Sequence, residues 1–273
     1  MEYAVVLVAA LFHAVWNSIV KSSPDKLLTL AAIRTVGLGA GLIVICTSPL
    51  PGVEILPCLV GAVIVLVFYY WFLLNTYRVG DFSQVYPISR GVAPVIVLFG
   101  SMVFAGEFLS VSQVSGILLV SLGIGLLVFP KGRITLRPLL YALGTGCCIA
   151  GYTVLCGLGV RATGSFLVFC GWLEVITGIT VVGCATVKRK RAVVVFAKEH
   201  GLKGLLAGIL SVSGFAAAVW AMETVAMAPV AALRETSIVF AALIGAFTLK
   251  EKFAFSRISA AILVAGGVVV LVF

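Results

Sequence analysis

Apolar runs of about twenty residues follow one another along nearly the whole chain, parted by short clusters of turn and charged residues. A helix needs about 20 apolar residues to cross a bilayer core, and lipid cannot satisfy an open backbone. The pattern therefore predicts an all-α membrane protein with ten spanning helices. They lie at about residues 3–20, 27–48, 56–76, 83–105, 111–129, 138–158, 165–186, 204–223, 230–249 and 257–273. The segment 188–203 reads as a long basic loop, an anchor against anionic lipid.

Composition agrees. The chain is 62% hydrophobic and 11% charged, with a mean hydropathy of +1.23, whereas soluble domains carry about 25% charged residues. The net charge of +9 sits in short loops between apolar spans, which points away from nucleic acid. The seven cysteines lie mostly within spans and lack the spacing with His or further Cys that would hold zinc, so they read as small apolar packing residues. The first apolar stretch lacks a basic flank before it and is expected to be a retained helix.

The loop charges set the orientation. Fifteen of the 19 Lys and Arg fall in or beside odd-numbered loops, Arg161 alone lies in an even-numbered one, and Arg34, Arg90 and Arg234 lie within spans. Basic loops stay cytoplasmic, so odd loops are expected in the cytoplasm and both termini outside. The expected home is the plasma (inner) membrane of a bacterium.

A repeat organises the pattern further. Residues 84–129 recur as 228–273 without a gap, and eleven of the 46 pairs are identical, among them Arg90 with Arg234, Glu107 with Glu251 and Gly123 with Gly267. The turn after Gly106 has no basic residue, while its copy holds Lys250, Lys252 and, close behind, Arg257. The same unit with opposite loop charge implies an inverted repeat, as in many transporters. The division expected is 1–130 for the first five-helix repeat and 138–273 for the second.

Charges within spans are the candidates for chemistry. Each costs roughly 2.5–3.5 kcal/mol to place at a helix centre, so it normally faces protein or water. Arg34 in the second span and Glu174 in the seventh stand at about corresponding places. They serve either as a structural ion pair or as cavity groups, with Glu174 the candidate for proton coupling. Arg90 and Arg234 are repeat mates, followed in the second copy by Glu235. They either line a cavity or reach an interface or carbonyl. His13, Trp16, Asn17 and Lys21 share one helical stripe, and Tyr86, Arg90, Ala93 and Pro94 another. Pro94 either kinks its helix or turns a freed carbonyl toward cargo. Glu107 and Glu251 stand at turns, where each is expected to cap or brace the next helix. Gly116 and Gly123, with Ala260 and Gly267, would allow close packing within a half or between protomers.

The run His13-Ala14-Val15-Trp16-Asn17, the segment from Val85 through Arg90 to Pro94, and Gly106-Glu107 together resemble the EamA branch of the drug/metabolite transporter superfamily. The resemblance covers essentially the whole chain. It implies exchange or export of small metabolites through a central cavity, lined by the first four helices of each half with the fifth outside. Two departures stand out: Ile238 replaces Pro94 in the second copy, and Lys250 replaces Gly106. Small four-helix relatives use a buried glutamate on their first helix for proton coupling. Here the first helix offers His13 and Asn17 and the sixth Tyr152 and Thr153, so that mechanism does not carry over.

These features favour a secondary transporter of a small metabolite, working by alternating access between inverted halves. His13, Trp16, Asn17, Arg34, Tyr86, Arg90, Pro94 and Arg234 are the candidate substrate-binding residues. Three arginines within spans lean the cargo toward an anion or zwitterion. A flippase for a lipid or lipid-linked sugar is the alternative, and it predicts a cavity open sideways. An intramembrane enzyme fits poorly. Asp25 and Asp81 lie in loops, HExxH is absent, and His13 has no serine motif beside it. There is no glycine-rich phosphate loop to bring ATP. No cofactor or metal is expected, and the chain would act in the bilayer as a monomer or homodimer.

Overall fold

The computed structural model describes residues 1–128, 134–241 and 255–273. Its helices are α1 (Glu2–Ser22), α2 (Lys26–Thr47), α3 (Leu56–Val79), α4 (Phe82–Ala105), α5 (Val111–Gly125), α6 (Leu136–Thr163), α7 (Phe166–Arg189), α8 (Ala192–Thr224), α9 (Met227–Glu235) and α10 (Phe255–Val272). Among the described residues no strand occurs. Seven helices, α1–α4 and α6–α8, are long and apolar enough to cross a membrane, while α5 and α10 are shorter apolar helices. The ten expected spans are thus met by seven of full length. Helix α5 stops at 15 residues, and turn residues occupy 126–128. The expected span 230–249 is described only to residue 241, and Lys131, Arg133, Lys250, Glu251 and Lys252 lie outside the described residues.

Local signals set the helix ends. The Asp25 carboxylate accepts from the backbone N–H of Leu27 at 3.0 Å and Leu28 at 3.2 Å, capping α2. Ser110 and Gln113 form a reciprocal capping box at the start of α5, satisfying two amides that would otherwise lack partners. Gly164 ends α6 at φ 64°, a left-handed position that suits glycine. Helix α9 breaks at Thr236, whose N–H reaches the Leu233 carbonyl three residues back, and the backbone is helical again over 237–241.

The expected basic loop at 188–203 is corrected. Helix α7 runs to Arg189, the chain turns at Lys190 (φ 47°), and α8 begins at Ala192 and continues for 33 residues. Helical bonding need not stop where apolarity does, and the Phe196 and His200 rings, one turn apart, pack edge-on at 4.6 Å. Arg161 is corrected too: it belongs to the last turn of α6, not to a loop.

Helices from the two parts of the chain pack against each other in opposite directions. A methyl group on Gly41 of α2 would meet Gly171 and Val175 of α7, and one on Gly178 of α7 would meet Arg34 and Leu38. Residue numbers rise along one helix as they fall along the other, so α2 and α7 are antiparallel. Arg189 Nε, 3.2 Å from Asp25 Oδ2, ties the end of α7 to the start of α2. Helices α5 and α10 also run antiparallel, with Gly116 against Gly267 and Gly123 against Ala260 and Val264. Added methyl groups there would sit 2.6–3.1 Å from Leu271, Val264 and the facing carbonyls. In lipid, where apolar side chains gain little by leaving the solvent, such close backbone approach is what holds helices together. These small residues thus join α5 to α10 across the two parts of the chain, rather than within one part.

Candidate functional site

A cavity of about 310 Å³ lies among α1–α4 and α6–α9, and no described residue of α5 or α10 lines it. His13, Trp16, Asn17, Arg34, Tyr86, Arg90, Glu174 and Arg234 all line it. Pro94 does not. It is buried in α4 one turn beyond Arg90, and because proline lacks an N–H, the Arg90 carbonyl loses its helical partner there. The Lys21 side chain lies outside the described residues.

Arg34 and Glu174 meet across α2 and α7. Arg34 Nη1 donates to both carboxylate oxygens, at 3.0 and 2.9 Å. The two residues are 140 positions apart, as are the helix caps Asp25 and Ser165. Gly37 makes the pair possible, because a methyl group there would collide with the Glu174 carboxylate.

Arg90 is engaged from two sides. Its Nη2 donates to His13 Nε2 at 3.1 Å. A guanidinium has no acceptor, so this ring nitrogen accepts and the imidazole proton sits on Nδ1. Arg90 Nε lies 2.8 Å from Glu235 Oε2, an ion-pair separation, yet the N–H is aimed off that line and neither atom completes a hydrogen bond. The guanidinium also sits 5.9 Å from the Tyr86 ring centroid, within cation–π range. His13 packs edge-on against Trp16 at 5.0 Å, and Asn17 Nδ2 donates to the His13 carbonyl at 2.7 Å.

Other wall residues escaped the sequence reading. Leu66, Tyr69, Tyr70, Leu73 and Tyr77 of α3 all face the cavity. Their spacing of three, four and seven is a helical stripe, a signal hidden because aromatics in an apolar span read equally well as lipid-facing. Glu235 was visible as a neighbour of Arg234, but its partner is Arg90.

Among the described lining residues the exposed ones, Lys26 and Tyr77, stand at one end of the cavity. Lys26, at the start of α2, and Tyr77, near the end of α3, line its mouth, and Tyr77 is 41% exposed. The other end is filled by buried Ile55, Leu59, Cys156, Phe169, Met222 and Met227. Beyond this plug, Glu107 accepts from the Met227 N–H at 3.1 and 3.0 Å and pairs with Arg161. Arg161 also donates to the Met222 and Val225 carbonyls, at 2.9 and 3.0 Å. Glu107 therefore braces the start of α9, not the helix that follows it, which Ser110 caps.

Residues 136–273 match the family described as the EamA-like transporter family. The chain belongs to that family. It is an integral membrane protein and a membrane transporter of the drug/metabolite superfamily. No curated protein matches it. A solved structure titled only "Crystal structure of protein" is similar to this EamA-like chain with a TM-score of 0.76, covering 99% of this chain and 95% of that one. At 17% identity that likeness shows the fold alone.

Proposed function

We propose that this EamA-like protein is a secondary transporter that exports or exchanges a small metabolite by alternating access. In this reading 1–130 and 138–273 form two inverted five-helix repeats, ten spans in all, in a bacterial inner membrane with odd-numbered loops in the cytoplasm. The observation that carries it is a cavity lined from both parts of the chain, open at one end and plugged at the other. The antiparallel packing of α2 on α7 and of α5 on α10 supports the inversion. The mouth at Lys26 and Tyr77 lies at helix ends, which favours an aqueous exit over the sideways opening a flippase needs. By the loop charges this mouth faces the cytoplasm, so the conformation is inward-open.

Glu174, the carboxylate among the described lining residues, is the group assigned to proton coupling, because its protonation would release Arg34 to the cavity. The test of the cycle needs no substrate. A cysteine placed at cavity-lining Ser211 in a cysteine-free background should be modified by a membrane-impermeant thiol reagent from either face of oriented vesicles. Labelling from the mouth side alone would overturn alternating access.

A further inference from the structure

Charge bookkeeping in the cavity leaves one arginine over. Arg34 is matched by Glu174 and Arg90 by Glu235. Arg234 lines the same cavity, and among the described residues it has neither an ion-pair partner nor a side-chain hydrogen bond. The repeat explains the gap. Arg90 and Arg234 are mates 144 positions apart, so the residue that mirrors Glu235 is position 91, and it is glycine. The symmetric arrangement therefore lacks one carboxylate. A guanidinium held within a membrane span without an ion-pair partner of its own is unfavourable, and the cavity that it lines is the place from which one can come.

We infer that Arg234 receives the negative group of the cargo, and that the cargo is a monoanion with an apolar body. This rests on the transport reading above and narrows its substrate class. A zwitterion would bring an ammonium to a wall whose carboxylate, Glu174, already accepts through both oxygens from Arg34. A second negative charge would have to reach Lys26 at the mouth or displace Glu174 or Glu235 from its arginine. The walls of the same cavity carry Trp16, Tyr69, Tyr70, Tyr152 and Phe215, broad faces suited to a ring or hydrocarbon chain. The volume of about 310 Å³ is at the small end of the roughly 300–1,000 Å³ typical of ligand sites, which fits a body of about one ring.

Three probes of shared skeleton separate the charge classes: 3-phenylpropanoate, phenylalanine and phenethylamine. Thermal unfolding of the purified protein is followed against concentration of each. The monoanion should raise Tm at concentrations about tenfold or more below those phenylalanine requires, as expected when a charged hydrogen bond is matched without a stranded ammonium, and phenethylamine should have no effect. Arg234→Gln should weaken the response to 3-phenylpropanoate by about tenfold or more, and Arg234→Lys, which keeps the charge, should retain part of it. The inference fails if phenylalanine matches or exceeds the monoanion, if both variants respond like the unaltered protein, or if no probe moves Tm. Failure of transport itself would show separately in the labelling from two faces, which involves no ligand.

Discussion

The two ends of this molecule use the same kinds of residue for opposite purposes. At the mouth, Arg34 and Glu174 face a cavity that water can enter, and Arg34 keeps a side-chain exposure of 24%. At the far end exposure is no lower, 30% for Arg161 and 8% for Glu107 beside 5% for Glu174. There, however, Glu107 holds an arginine, a backbone amide and, through Arg161, two carbonyls. A pair at the edge of water can be broken and remade as cargo or protons arrive. A pair that also carries backbone groups at several helix ends cannot be broken without baring them, which costs about 1–3 kcal/mol for each buried group left without a partner. The difference lies in what each pair is bonded to: the mouth carboxylate meets its arginine, while the far pair ties the start of α9 to the ends of α6 and α8 and so can serve as a latch.

The strongest way to break this comparison is to remove the latch. Glu107→Ala leaves the Met227 amide bare and takes a charged hydrogen-bond partner from Arg161, which water can reach, and the expected loss of stability is about 2–4 kcal/mol. Cys156, buried in the plug, then becomes a native reporter. Its reaction with an impermeant thiol reagent from the face of the even-numbered loops should rise severalfold. Unaltered Cys156 reactivity, with stability lowered as expected, would make Glu107 a brace and not a latch.

Glu174→Gln comes next. No backbone amide depends on the Glu174 carboxylate among the described residues, so the cost should be smaller, roughly 1–2 kcal/mol, and the double change Arg34→Gln with Glu174→Gln should recover most of it. The functional effect should be the larger one. Flux into liposomes should lose its response to a pH gradient, and a response that survives would remove Glu174 from the coupling path.

How much of this was legible in the sequence depended on which parts of the repeat stayed alike. Residues 84–129 and 228–273 kept eleven identities, so Arg90 and Arg234 could be matched directly. Helices α2 and α7 meet through Arg34 and Glu174, and opposite charges do not register as a repeat, although they are what makes the pair attractive. The tyrosine stripe on α3 stayed hidden because tyrosine is at home both at a cavity wall and at a lipid interface. Segment 188–203 was misread because charge marks where a helix leaves the apolar layer, and hydrogen bonding lets the helix continue past that point. Which end is open was not legible at all. Both states of an alternating-access cycle share one sequence, and their balance is a small difference between large packing energies.

The smallest structural change should sharpen the comparison most. Gly37 lies where a methyl group meets the far end of the Glu174 side chain, which can swing aside, so Gly37→Ala asks for no backbone shift. Alanine is also favoured over glycine within a helix by about 1 kcal/mol, which offsets the strain. Thermal stability should therefore stay within about 1 kcal/mol of the unaltered protein. The carboxylate, however, would leave its place against Gly37, and Arg34 would lose its bond through at least one oxygen. Transport should fall toward the level of Glu174→Gln while Tm hardly moves. An alanine variant with full flux would mean that the position of Glu174 is not critical at the mouth. One that unfolds readily would mean that the mouth pair, like the pair at the far end, holds the fold together.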